Sequence, residues 1–292
     1  MVKPLPEDLI ADVSGRRLLT TIFGDALLPR KQAISVKTLA KLVEPFEVNE
    51  RLTRTSLQRM TADGFVEAER VGRESFYQVA ESAIETFERA NERIYPSAQP
   101  DWDDQWTIAV VDSDVPADVR QQLRKELGWL GVRELRNGPY VSPNVLPSSI
   151  AEIASRLNAP MTILLRAPLD PAADLHDRHI GELVDPDGDL TERYRSYGNT
   201  LRRLRDHAAT NTLGADAFAV RALLIDSWRR LALRSPSLPA TLLPAAWHAQ
   251  QAIDETSQLY SQVFSASERH IDTCVGKASH SVVSPFAQLS NI

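Results

Sequence analysis

The stretch NERLTRTSLQRM, which begins at Asn49, sets three arginines, two threonines and a glutamine at helical spacing. At 100° per residue, Leu52, Thr53, Ser56, Leu57 and Met60 share one side of a helix. Arg51, Arg54, Thr55, Gln58, Arg59 and Ala62 share the other. The first set can pack on neighbouring helices. The second offers the chemistry that reads DNA: Arg forks onto guanine, Gln pairs with adenine, and Thr meets a phosphate or a thymine methyl. Arg70 and Arg73 follow in RVGRE, at the turn of a hairpin pattern, where they would reach a neighbouring phosphate or minor groove. A polar helical face is often merely solvated, so the surrounding elements must decide.

Those elements form a recognisable order. Residues 14–27 read as a helix with Ser14 as N-cap and Leu18, Leu19, Ile22 and Phe23 inward, ended by Pro29. A second helix starts at Ser35 and closes before Pro45. Asn49 caps a third, which runs to Asp63 and stops at Gly64. Residues 65–79 carry the β-branched and aromatic residues of two strands. Three helices and a hairpin are the order of a winged helix-turn-helix, in which the third helix lies in the major groove. The whole chain is acidic, with a net charge of −6, but residues 14–41 hold six cations (Arg16, Arg17, Arg30, Lys31, Lys37 and Lys41) against Asp25 alone. A local basic surface matters more to phosphate contact than the total.

Beyond a helix over 82–95 and the boundary loop PSAQPDWDDQ, the pattern changes. A buried strand over WTIAVVD leads to a helix opened by Pro116, then to two short strands around Asn137-Gly138. A helix over SSIAEIASRL, capped by Ser148 or Ser149, and a last strand MTILLR complete β-α-β-β-α-β, a ferredoxin-like domain. From about Asp174 the chain reads as helical, most clearly in FAVRALLIDSWRRLAL and from Trp247 to about Ile271. The expected fold is α+β in three parts: a winged helix-turn-helix with a linker helix over 1–96, a ferredoxin-like (Cas2-like) middle domain over 97–170, and a helical effector and dimerisation domain over 171–292.

Other chemistry finds less support. Asp112 and Asp114 stand at the end of a strand, where a Cas2-like nuclease would hold a metal, but a strand-end Asp before a helix is usually a solvated loop residue or cap. His176, His179 and Glu182 recur at threes on an expected helix and could face a metal or solvent. There is no G-x-S-x-G and no glycine-rich phosphate loop. Cys274 is the only cysteine, which excludes intrachain disulfides and CxxC sites and points to a reducing cytoplasm. No run approaches the roughly 18 apolar residues of a membrane span. No cofactor and no metal are expected.

The pieces LLTTIFGDALLPR, N-x-R-L-x-R-T-x-x-x-R-M (Asn49 to Met60) and R-x-G-R-x-S-F-Y (Arg70 to Tyr77) resemble the PaaX family, bacterial repressors of phenylacetic acid degradation. WTIAVVD, LRKELGWLGVREL, GPYVSPN and DSWRRLALRSPSLPATLLPAAWHAQQA are similar to later parts of that family, while residues 175–210 depart from its pattern. The resemblance implies a homodimer on double-stranded operator DNA with an imperfect palindrome. It also implies repression relieved by an aromatic acyl-CoA thioester, phenylacetyl-CoA in the namesake. It carries a DNA-reading role to Asn49, Arg51, Arg54, Thr55, Gln58, Arg59, Arg70 and Arg73. Trp228, Trp247 and Tyr260 could line a pocket for the aromatic acyl group, or pack in a core. Arg229, with Arg221, Arg230 and Arg234, could meet CoA phosphates or decorate a surface. The rival readings are a metal-dependent nuclease and an adaptor whose winged helix binds a protein.

Overall fold

The computed structural model describes residues 5, 7–11, 13–96, 102–135, 138–168, 188–210, 214–235, 239 and 249–286. By contacts the chain groups into two compact units: Met1–Ser97 with Arg195–Arg229 and Gln250–Ile292, and Ala98–Tyr194 with Arg230–Ala249. The last third of the sequence is thus shared between the two units.

In the first unit, α1 (Glu7–Ala11) precedes α2 (Gly15–Ile22), α3 (Val36–Val43) and α4 (Glu50–Ala62). Each of the last three starts on a side-chain cap: Ser14 accepts from Arg17 N, Ser35 from Thr38 N and Asn49 from Leu52 N. Strands β2 (Val66–Val71) and β3 (Glu74–Val79) form the wing, and β1 (Ile34–Ser35) adds to β3, giving the antiparallel order β1-β3-β2. Helix α5 (Glu81–Ile94) follows. The winged helix-turn-helix expected from the sequence is present.

The expected helix over 14–27 is not regular throughout. After Ile22 it widens into a π-helical turn, Phe23–Leu27. Gly24 in that turn lies so close to the Phe87 ring that a Cβ would sit 2.9 Å from it. The turn also carries Asp25, buried among groups from other elements. Tyr95 and Tyr260 both donate to its Oδ1, Arg221 Nε donates to its Oδ2 at 2.7 Å, and Arg221 Nη2 donates to its backbone oxygen at 3.0 Å.

Tyr95 follows the end of α5, and the other partners come from the C-terminal helices, α9 (Gly214–Ala232) and α10 (Ala249–Val275), preceded by α8 (Leu190–Thr210). Arg221 is 1% exposed and also bonds Glu268, whose other oxygen takes Arg30, equally buried. Arg30 reaches Asp272 as well. One turn earlier on α2, Arg17 and Thr21 both bond Asp226. The α2 helix and its π turn are therefore docked on α9 by two ion pairs of opposite sense, Arg17 to Asp226 and Asp25 to Arg221. Apolar packing accompanies them: Phe46 meets Phe218 edge-on, Trp228 lies against Tyr197, and Tyr95, Tyr260 and Phe286 cluster.

The second unit contains the ferredoxin-like sheet. Strands β4 (Gln105–Val111), β5 (Arg133–Glu134), β6 (Tyr140–Ser142) and β7 (Met161–Pro168) pair in the antiparallel order β5-β6-β4-β7. Helices α6 (Ala117–Leu130) and α7 (Pro147–Arg156) bury Leu123, Leu127, Ile150 and Ile153 against Ala109 and Val111. The serine cap expected for α7 is replaced by Pro147 in the first turn, because proline's fixed φ and missing N–H suit that place. Asn137 of the expected turn lies outside the described residues, as does most of SPSLPATLLP.

Removing one member of the buried network strands a charge, so Asp25→Ala should lower unfolding free energy by about 3–5 kcal/mol. The double variant Asp25→Leu/Arg221→Met should lose less than the two single changes together. Urea unfolding of the four proteins measures this; additive losses would mean that the pair is not coupled. Burial, followed by the Asp25 charge, holds the Tyr95 phenol well above 10.0. Burial does the same for Tyr260, where Arg221 opposes it. A phenol whose pKa rises on folding favours the folded state fully below its unfolded value, and that gain is lost as pH climbs past it. Stability should therefore fall above about pH 10, and fall less steeply in Tyr95→Phe/Tyr260→Phe. Parallel alkaline slopes in the two proteins would contradict this origin.

Candidate nucleic-acid interface

Helix α4 divides as its sequence predicts. Thr53, Ser56, Leu57 and Met60 are buried. Arg51, Arg54, Gln58, Arg59 and Ala62 are exposed, and Thr55 is half-buried with its hydroxyl donating to Arg51 O at 3.0 Å. Leu52 departs from the inward set at 43% exposure, although it packs against Gly15, where a Cβ would meet it at 3.0 Å. Gly15 thus lets the start of α2 approach α4 closely. At the other end Arg16 Nη2 pairs with Asp63 Oδ2 at 2.5 Å, just past α4. These two contacts and the buried stripe fix the helix, leaving a polar outer face with three arginines.

The wing presents the other basic pair. Val71 and Glu74 pair across a two-residue turn whose first residue, Gly72, has φ +63°, a conformation that side chains disfavour. Arg70 and Arg73 at this tip are exposed, and Arg70 Nε makes only a long 3.4 Å contact with Gly72 O. Lys37 and Lys41 on α3 are exposed too.

Three of these residue sets have partners within the chain. Asn49 uses Oδ1 to cap α4, accepting from Leu52 N at 2.9 Å, so its side chain first serves the helix. The basic segment before α4 is less basic at its surface than its composition implies, because Arg17 and Arg30 are spent on internal carboxylates. Arg54 is not a bare guanidinium: Glu50, one turn earlier, accepts from its Nε at 3.0 Å and its Nη2 at 2.5 Å. Sequence reasoning passed over Glu50, although Glu four residues before Arg is a pairing signal.

Among the described effector candidates, the two aromatic residues are buried. Trp228 is 2% exposed and its Nε1 donates to Ile94 O at 2.7 Å. Tyr260 is fully buried and bonded to Asp25. Both have the environment of core residues. Arg229 is half-buried on α9, and Trp247 lies outside the described residues. Arg221 meets carboxylates of its own chain rather than a surface.

Asp112 has a local role: its Oδ1 accepts from Asp114 N at 3.0 Å, a turn-forming bond, and its backbone oxygen accepts from Arg120. Among the described residues no group of three His, Cys, Asp or Glu side chains is placed to hold a metal. His176, His179 and Glu182 lie outside them. Among the described residues no helix is long and apolar enough to cross a membrane.

A winged helix with an arginine-lined third helix, followed by a Cas2-like sheet domain and a helical segment, defines a class of transcriptional regulators built in three parts. Known proteins agree part by part. The family profile described as PaaX-like protein matches residues 14–83, the PaaX protein central Cas2-like domain matches 99–175, and the PaaX-like protein C-terminal domain matches 187–273. The chain belongs to the PaaX family. It is 29% identical over 264 residues to the transcriptional repressor PaaX of Escherichia coli K12, across 87% of this chain and 82% of that one. It is also similar to the solved structure of the uncharacterized protein Rv0674 from Mycobacterium tuberculosis, with 26% identity, 79% of this chain and 90% of that one covered, and a TM-score of 0.45. The C-terminal profile begins at residue 187, so residues 187–210 match the family and the departure expected over 175–210 does not hold for them.

Asn49→Ala removes the cap of α4 and should cost about 1 kcal/mol of stability, while Asn49→Ser should retain most of it. Thermal or urea unfolding of both variants checks the assignment; an equal loss in both would show that the cap is not what Asn49 contributes.

Proposed function

We propose that this chain is a cytoplasmic, homodimeric repressor of an aromatic-compound catabolic operon. It binds an imperfect palindrome and is released by an aromatic acyl-CoA thioester or a related small molecule. The observation that carries the DNA-binding half is the division of α4 between a buried stripe and an exposed face of Arg51, Arg54, Gln58 and Arg59. In this reading α4 lies in the major groove with Arg54, Gln58 and Thr55 over base edges, while Arg51 and Arg59 meet flanking phosphates. Arg70 and Arg73 carry the wing to the neighbouring backbone. The named repressor from Escherichia coli supports the regulatory half, while the aromatic thioester is what the resemblance to the family implies.

Release by a ligand requires that the ligand bind the DNA-incompetent state better than the competent one. A differential of about 3 kcal/mol lowers operator affinity by roughly a hundredfold. Binding of the full chain to its own upstream intergenic DNA, with and without phenylacetyl-CoA and against a scrambled duplex, tests both halves. Specific binding lost on adding the thioester is expected. Specific binding indifferent to it would sink the effector and keep the repressor, and absence of any salt-dependent duplex binding would favour a protein partner.

The two sets of arginines should separate in that assay. Arg70→Ala should weaken binding to all duplexes alike and reduce the slope of log K against log salt by about one. Arg54→Ala should instead relax the base preference at one position of each half-site, at a cost of about 1–3 kcal/mol. A uniform loss from Arg54→Ala would move that residue from base reading to phosphate contact.

A further inference from the structure

Glu50 is the only acidic residue within α4, and it stands at the N-terminal end, the part of a recognition helix that contacts base edges. A carboxylate there opposes DNA, since it must approach a field of phosphates. A solvated pair four residues apart, with side chains 59% and 52% exposed, adds little to stability. The contact therefore has small value for the fold and a clear cost for phosphate affinity.

Its geometry suits another purpose. Glu50 Oε1 takes the Nε and Nη2 hydrogens on one edge of the Arg54 guanidinium. The end of the fork, between Nη1 and Nη2, keeps two hydrogens directed away from that carboxylate. Two parallel N–H groups at that spacing match O6 and N7 of guanine. A long arginine that would otherwise sample many rotamers is held beforehand by its side edge while presenting its end.

We propose that Glu50 is a specificity-determining residue that buttresses Arg54 as an end-on reader of guanine and lowers affinity for DNA in general. The inference rests on the reading that α4 occupies the major groove. It places Glu50 in a positioning role, acting through Arg54, and makes it a filter: without the guanine partner, the carboxylate's repulsion is uncompensated.

The test uses the full chain and three variants, Glu50→Ala, Glu50→Gln and Arg54→Ala, each checked for native circular dichroism. Each selects from a library of randomised duplexes, and each is then titrated with the wild-type consensus and a scrambled duplex. Arg54→Ala should erase a guanine preference at one position of each half-site. Glu50→Ala should flatten that same position, reducing discrimination there roughly tenfold, while binding the scrambled duplex several-fold more tightly. Glu50→Gln, which keeps a neutral oxygen for Arg54, should restore part of the preference and still bind scrambled DNA more tightly. If Glu50→Ala keeps the guanine preference that Arg54→Ala removes, the buttress is overturned. If its scrambled-duplex affinity does not rise, the filter is overturned. Should Arg54→Ala leave every preference of the wild-type consensus intact, the groove reading of α4 falls first and the inference falls with it, a result distinct from the other two.

Discussion

Arg221 carries a positive charge at a place that is almost closed to water, and the carboxylates around it make that tolerable. Burial alone would drive the guanidinium toward neutrality; Asp25, Tyr260 and Glu268 more than offset it and hold its pKa above the ordinary arginine range. Glu268 does this for two arginines at once, Arg221 on α9 and Arg30 in the segment after α2. Asp25 in turn gathers two phenols and a guanidinium from α9, α10 and the end of α5. Each group is satisfied only while all the elements are in place. Such a network gains little net free energy over an apolar core, but misdocking strands a buried charge, which is costly. Its main effect is to fix one register of α2 on the C-terminal helices.

That register bears on α4. Helix α2 is held from behind by the Arg17–Asp226 and Asp25–Arg221 pairs, and from its other side it touches α4 through Gly15 and the Arg16–Asp63 pair. The polar outer face of α4 is therefore positioned by a chain of contacts that begins on α9 and α10. The C-terminal helices contribute to the same compact unit as the winged helix, and Phe218, Trp228 and Tyr260 fill its core.

Much of this was legible in the sequence because periodicity and caps are local. The inward and outward sets of α4, the Ser14 and Asn49 caps, the wing with Gly72 and the β-α-β-β-α-β order all follow from residues close in the chain. The network was not legible, because Asp25 meets Arg221 and Tyr260 across most of the sequence. For the same reason Arg17 and Arg30 counted as surface cations, and Trp228 and Tyr260 as pocket candidates, when only their distant partners reveal that their polar atoms are already engaged. The π turn at Phe23–Leu27 is likewise invisible to a 3.6-residue pattern. Glu50 is the reverse case: its pairing with Arg54 is local and its spacing was readable, but attention to basic residues passed over the acid among them.

The two kinds of ion pair in this unit show why exposure decides what a charge is for. Asp25 with Arg221 is sealed at 4% and 1% exposure, so its partners cannot be exchanged without opening the fold. Glu50 with Arg54 stands more than half in solvent, so the free end of the guanidinium is open to a nucleobase while Glu50 holds its side edge. The buried pair specifies where α4 stands; the exposed pair is free to take on a further partner, and it lies on the face turned away from the core. A change in the buried network would be passed to the exposed face through the contacts that hold α2. Small displacements there would be expressed as a choice between discrete dockings rather than a gradual tilt, since a packed core with paired charges resists continuous deformation.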